Sequence, residues 1–159
     1  MDSYIHQLNV SRGGVPKIPV AEAWLTPEGL MGDAQSDRRH HGGPERALCL
    51  FSLELIEELR AEGHVIAPGS SGENVTVAGL DWSQLAPGSR LALGDEAVVE
   101  ITSYAAPCRT ISGSFVAGNS QRISHKKYPG QSRLYARVIN SGRLAPGQSV
   151  RVLKDDPAR

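Results

Sequence analysis

The side chain with the most reactive chemistry is the thiol of Cys108, set in Tyr104-Ala105-Ala106-Pro107-Cys108-Arg109-Thr110. It follows a strand-like run and opens a Gly/Ser-rich region. The Arg109 guanidinium and free N–H groups of a turn would both favour the thiolate. A half-buried loop cysteine without chemistry fits the same residues, because reactivity depends on exposure. A second polar stretch runs from Gly32-Asp33 to Asp37-Arg38-Arg39-His40-His41-Gly42-Gly43-Pro44. Its paired glycines let backbone approach a ligand and turn N–H groups toward it. Arg38 and Arg39 supply planar forks suited to phosphate. A solvated charged loop is the plainer alternative. His40 and His41 are poorly placed to ligate one metal together, since adjacent residues of a strand face opposite ways. A third stretch, Gly72-Glu73-Asn74-Val75-Thr76, sets a carboxylate and an amide at a glycine turn. Glu73 there suits either a ligand edge or the turn itself.

These stretches need elements to hold them. Alternation over Tyr4 to Val10 predicts a first strand, and Val20 to Leu25 a second. Thr26-Pro27-Glu28-Gly29 is a turn with proline at its second position. The stretch from Gly29 to Pro44 fits neither period and reads as a loop. Arg46 to Phe51 is a nearly continuous apolar run, a buried strand that makes Cys49 a small core residue. Ser52 caps a helix from Leu53 to Ala61 or Glu62, with Leu55, Ile56 and Leu59 on one face and Gly63 ending it. Val75-Thr76-Val77 reads as a strand, and Gly79 to Leu85 as a turn or short 3₁₀ element. Ala97 to Tyr104 is the clearest strand and delivers Cys108. The polar stretch from Ser112 to Ser132 is either a solvated surface or a flap over a site. Leu134 to Asn140 and Ser149 to Leu153 read as a closing hairpin-like pair, and Lys154 to Arg159 as a tail. Short strands, one clear helix and closely spaced turns predict a mainly β fold. The expected form is a closed or partly closed barrel of mostly antiparallel strands with one or two helices.

Composition narrows the function. The 159 residues suit a single domain over 1–159, with its core at about 4–153. Lys+Arg 17 balances Asp+Glu 17, so no global field attracts a nucleic acid polymer. No apolar run approaches the roughly 20 residues of a membrane helix, so no membrane partner is expected. The start, Met1-Asp2-Ser3-Tyr4-Ile5-His6, shows no secretory pattern. Cys49 and Cys108 form neither a C-x-x-C motif nor a disulfide framework, and a cytoplasmic protein with free thiols is the simplest expectation.

Read in order, the polar stretches form a pattern. GDxxxDxxxHGG runs from Gly32 to Gly43, GENxTxxGL from Gly72 to Leu80, and Pro107-Cys108 follows a strand. This order and spacing resembles the MOSC domain, named for the C-terminal domain of molybdenum cofactor sulfurases. The likeness is to a small stand-alone member with no desulfurase domain attached. It implies a β barrel with a pocket for the molybdenum cofactor (molybdopterin). Asp33, Arg38, Arg39, His41, Gly42, Gly43, Glu73, Asn74 and Arg109 are then the cofactor-binding candidates, and Cys108 the catalytic and metal-binding one. In the family this cysteine either ligates molybdenum or carries sulfur as a persulfide. Relatives of the first kind reduce N-hydroxylated compounds. Many members place an arginine before the Pro-Cys pair; here Ala105 and Ala106 stand there and Arg109 follows. The chain has no C-x₄-C-x₂-C motif and no G-x-G-x-x-G fingerprint, so electrons for a small-molecule substrate would come from a partner protein. In the sulfur-carrier alternative the partner is a cysteine desulfurase, and pyridoxal phosphate belongs to that partner.

Overall fold

A computed structural model of the chain describes residues 2–34 and 43–154. The strands are β1 (Tyr4–Val10), β2 (Ile18–Val20), β3 (Ala23–Thr26), β4 (Gly29–Leu30), β5 (Leu48–Ser52) and β6 (Val75–Ala78). They continue with β7 (Arg90–Leu93), β8 (Ala97–Tyr104), β9 (Leu134–Asn140), β10 (Gly142–Leu144) and β11 (Val150–Leu153). One α-helix, α1 (Leu53–Ala61), follows β5 directly. The Ser52 hydroxyl caps it by accepting the Leu55 N–H at 3.2 Å.

Eight strands form one sheet in the order β11-β7-β8-β9-β5-β6-β1-β2, and β10-β3-β4 form a second. Neighbours in both are antiparallel except β5 and β6, which run parallel because α1 crosses between them. The larger sheet curls on itself. Ile5 N–H donates to Gln148 O at 2.9 Å, and Val150 N–H to Ser3 O at 3.0 Å. These bonds bring β1 beside the approach to β11 and give the mainly β fold its partly closed barrel form.

Burial follows from position. In β8 the inward Ala97, Val99 and Ile101 are buried while Val98, Glu100 and Thr102 are not, the period-2 pattern of a one-sided strand. β5 and β6 are buried along their whole length, as expected of a parallel pair covered on both faces. Ile56 and Leu59 of α1 close over the core that these strands share.

Two sequence expectations need correction. The strand read over Val20 to Leu25 is two strands in different sheets. Val20 pairs with Leu8 of β1, and Leu25 pairs with Gly142 of β10 and Leu30 of β4, so the chain bends at Ala21-Glu22. The closing pair is not a pair. β9 has both edges taken, by β8 and β5, and β11 joins β7 instead. The chain does reverse near Ser141-Gly142, but into β10 and the second sheet.

Candidate functional site

The pairing of β8 with β9 positions the thiol. Ser103 faces Tyr135 and Tyr104 faces Leu134, and Ala105 N–H donates to Arg133 O at 2.9 Å. Beyond Ala105 the ladder ends and Pro107 turns the chain out. Cys108 is extended, at φ −134 and ψ 174, ahead of a 3₁₀ turn over Arg109–Ser114, and its side chain caps nothing. The buried Ile111 and Ser114 anchor that turn. Cys108 is half-buried and its sulfur is free of any disulfide.

Cys108 lines a cavity of about 550 Å³. By burial, the closed end is built from Cys49, Arg133, Tyr135 and Lys17, and the open end from Pro107, Cys108 and Arg109. Lys17, Arg46, Arg109 and Arg133 bring four cations to the wall, and no aspartate or glutamate lines it among the described residues. Arg133 is 3% exposed. Its Nη1 donates to Ser71 O at 2.8 Å and its Nη2 to Ala106 O at 3.1 Å, while Nε is buried with no partner. An arginine therefore does reach the stretch ahead of Pro107-Cys108, from the residue just before β9 rather than from the adjoining sequence. The Arg46 guanidinium lies 5.3 Å from the Tyr135 ring centroid. Burial raises the Tyr135 pKa and keeps its phenol neutral. Burial also pushes the Cys49 thiol up to about 11. Of the two cysteines, only Cys108 is placed to react.

Asp33, Glu73 and Asn74 lie behind the wall. Asp33 Oδ1 accepts Ser11 N–H at 2.9 Å, and Oδ2 accepts Lys17 Nζ at 2.7 Å and Asn74 Nδ2 at 2.8 Å. It meets the cavity only through Lys17. Glu73 is fully buried and accepts the Ser71 and Thr76 hydroxyls at 3.1 and 3.0 Å. Burial raises its pKa. Asn74 Oδ1 accepts Cys49 N–H at 3.0 Å, and its Nδ2 also donates to Asn9 O at 3.3 Å. The two side chains thus hold β1, β5 and β6 together, and neither lines the cavity. Gly43 is exposed at φ 80, ahead of the 3₁₀ turn Pro44–Arg46 that carries Arg46 to the wall. Arg38, Arg39, His41 and Gly42 lie outside the described residues.

The segment from Ser112 to Ser132 is pinned by a few buried side chains while Val116, Gln121 and Lys126 to Pro129 stay exposed. Phe115 and Ile123 are buried. Arg122 donates to both Glu62 oxygens at 2.9 and 2.8 Å and to Gln131 Oε1 at 2.7 Å. His125 stacks on Tyr104 of the cavity wall, with centroids 3.5 Å apart and planes 4° apart. Sequence reasoning missed Lys17, Arg46, Arg133 and Tyr135. Lys17 sits between two prolines and reads as extended chain; Tyr135 reads as part of the strand from Leu134, and Arg133 stands just before it.

The chain resembles known proteins throughout. A family model of the MOSC domain matches residues 37–151. The uncharacterized protein YflK of Bacillus subtilis is 33% identical over 144 residues, 88% of this chain and 63% of that protein. Protein YiiM of Escherichia coli is 31% identical over 124 residues, 72% of this chain and 55% of its own length. The chain thus covers less than two thirds of either relative. Among solved structures, Escherichia coli YiiM aligns with TM-score 0.71 at 24% identity, covering 97% of this chain and 71% of that one. The YUAD protein of Bacillus subtilis aligns with TM-score 0.72 at 17% identity over 98% of each. At that identity these structures attest the fold.

Proposed function

The chain belongs to the MOSC domain family, and on that premise we propose that its cavity binds the molybdenum cofactor, with the Cys108 sulfur as a metal ligand, in an oxidoreductase component that reduces N-hydroxylated compounds. The observation that carries this reading is one cavity joining a half-buried thiol to a cationic wall that, among the described residues, holds no carboxylate. The residues fit the group. Molybdenum takes soft sulfur ligands, and Cys108 offers one at the open end. The pterin carries a phosphate, for which the guanidinium and ammonium groups of the wall are suited. Arg133 Nε, buried without a partner, is a donor still owed an acceptor. The volume is in the range of cofactor pockets.

When bound, the cofactor supplies a metal centre that exchanges electrons with the substrate. The chain's own residues position and insulate. The β8–β9 ladder holds the Cys108 backbone, and Ile111 anchors the turn behind it. Tyr135 keeps its proton and adds no negative charge beside a cofactor that is itself anionic. Val15 and Ile111 add aliphatic surface to the wall. Electrons come from a separate flavin or iron–sulfur protein.

Metal and pterin analysis of protein from a cofactor-competent host tests this reading. Molybdenum and pterin near one per chain are expected, with the metal lost in Cys108→Ser. Absence of both from the unsubstituted protein sinks it. A sulfur atom added to Cys108 after incubation with a cysteine desulfurase and cysteine, in protein without molybdenum, would put the persulfide-carrier reading in its place.

A further inference from the structure

Charge is unevenly distributed along the chain. From residue 101 to residue 154 there are nine Lys and Arg and not one Asp or Glu. Ion pairs with the earlier part of the chain occupy three of these cations: Arg122 bonds Glu62, Arg137 bonds Glu100 and Arg143 bonds Glu22. Arg109, Lys126 and Lys127 are exposed and form no ion pair among the described residues. The fold gathers these three around the open end of the cavity. Arg109 lines the opening beside Cys108. Ser120 Oγ donates to Cys108 O at 3.5 Å, and His125, next to Lys126, stacks on Tyr104 of the wall. The lysines sit in a fixed turn, where Lys127 and Tyr128 N–H donate to Ser124 O at 3.2 and 2.8 Å and Gly130 N–H donates to His125 Nδ1 at 3.1 Å. The buried Ile123 and the Arg122–Glu62 pair tie that turn to the body of the molecule. The same segment exposes two large apolar side chains, Val116 at 53% and Tyr128 at 39%. Apolar groups among charges of one sign have the composition of a transient protein interface rather than of an ordinary solvated loop.

We propose that this rim, with Arg109, Lys126 and Lys127 as its charges, is the landing face for an electron-donor protein that presents an acidic surface. The donor's role rests on the cofactor reading; the face itself rests on charge and position. Reduction of an N-hydroxyl group to the amine consumes two electrons and two protons and releases one water, and the donor, a reduced flavin or iron–sulfur protein, supplies the electrons. The closed end of the cavity lies under β5 and β9, which carry Cys49 and Tyr135, so the short way in is the open end where Cys108 sits. A chain of zero net charge has no long-range pull on a polyanion. A local cationic rim instead steers an acidic patch of matching size, raising the encounter rate at low salt. Fixed lysines and a small contact suit a carrier that must dock and leave in each turnover.

Carbodiimide cross-linking, which joins an ammonium to a carboxylate it touches, tests the face in the full chain without molybdenum cofactor. The probes are oxidised flavodoxin and a plant-type ferredoxin, both acidic carriers. Peptide mapping is expected to place the adducts at Lys126 or Lys127, with loss at high salt. In cofactor-loaded protein, stopped-flow oxidation of the reduced carriers should slow by about tenfold or more at low ionic strength in Lys126→Glu/Lys127→Glu. Arg151→Glu/Lys154→Glu changes the net charge equally, at exposed positions on and just after β11, which β7 separates from β8. It should slow the reaction by less than about twofold. All four positions are exposed, so melting curves of both double variants should match the unsubstituted chain. No adduct with either carrier, adducts only at other residues, or equal slowing by the two double variants overturns the proposal. Adducts at Lys126 or Lys127 in a chain that never acquires molybdenum keep the docking face and remove the electron-donor role together with the cofactor reading. Molybdenum-loaded protein that takes electrons at an unchanged rate in Lys126→Glu/Lys127→Glu keeps the cofactor reading and overturns the face.

Discussion

Two buried polar regions lie back to back in this molecule, and they differ in how completely they are satisfied. Behind the wall, Asn9, Asp33, Glu73, Asn74 and Thr76 exchange hydrogen bonds among themselves and with backbone. At the wall, Arg133 and Lys17 keep donors without acceptors. Both regions are built from polar residues near glycine turns, and both carry residues of the family pattern. The difference separates scaffold from binding surface. A buried polar group whose partners all belong to the chain fixes the fold, whereas one left short of partners addresses something that arrives later.

The sharpest way to break this contrast is to cut the satisfied region at Asn74. Its side chain joins β1, β5 and the Asp33 carboxylate, so Asn74→Ala strands the Cys49 N–H and frees one acceptor on Asp33. Leaving several buried groups unpaired in this way costs on the order of 3 kcal/mol. Urea unfolding should show that loss with an unchanged slope. A loss below about 1 kcal/mol would mean the network is not the scaffold that its geometry describes.

The two cysteines carry the contrast into chemistry. Cys49 is tied to the satisfied region by its backbone, whose N–H and carbonyl both bond Asn74, while its buried thiol lies at the closed end of the cavity. With burial raising its pKa to about 11, roughly a thousandth of it is ionised at pH 8. Native protein treated with iodoacetamide at pH 8 should therefore take one label, on Cys108, with Cys49 slower than a free peptide thiol by about two orders of magnitude. Peptide mass mapping reads this directly. Equal labelling of both cysteines in folded protein would remove the distinction between a reactive and an inert thiol.

How much of this was legible in the sequence follows from how local each signal is. The helix after Ser52 was legible because its cap, apolar face and Gly63 stop all lie within a dozen or so residues. The strand leading to Cys108 was legible for the same reason. The break between β2 and β3 was not, because Val20 and Leu25 are claimed by strands distant in sequence. The Gly-Glu-Asn turn stood out as a motif, yet whether its side chains face a ligand or the core depends on where β1 and β5 pack. The cationic wall was least legible of all. Lys17, Arg46, Arg109 and Arg133 come from four separate segments, and only the tertiary fold makes them one surface. Arg38, Arg39, His41 and Gly42, drawn from the most conspicuous loop, lie outside the described residues.

The finest test of the contrast uses a hydroxyl next to Arg133. Ser132 is 1% exposed and its Oγ is buried without a partner, while its carbonyl accepts Trp82 Nε1 at 2.8 Å. Ser132→Ala keeps the carbonyl bond and removes only the unpaired oxygen. Thr76 is the matching hydroxyl of the satisfied region: it donates to Glu73 at 3.0 Å and accepts from Asn9 at 3.2 Å. Removing a paired buried hydroxyl strands its partners and costs about 2 kcal/mol, whereas removing an unpaired one is neutral or gains up to about 1 kcal/mol. Thermal melting of Ser132→Ala beside Thr76→Val should thus move in opposite directions or leave the serine variant unmoved. A Ser132→Ala loss as large as that of Thr76→Val would show that this oxygen has an acceptor. The unpaired character of the region would then be confined to the two cations, where its meaning as a ligand site is strongest.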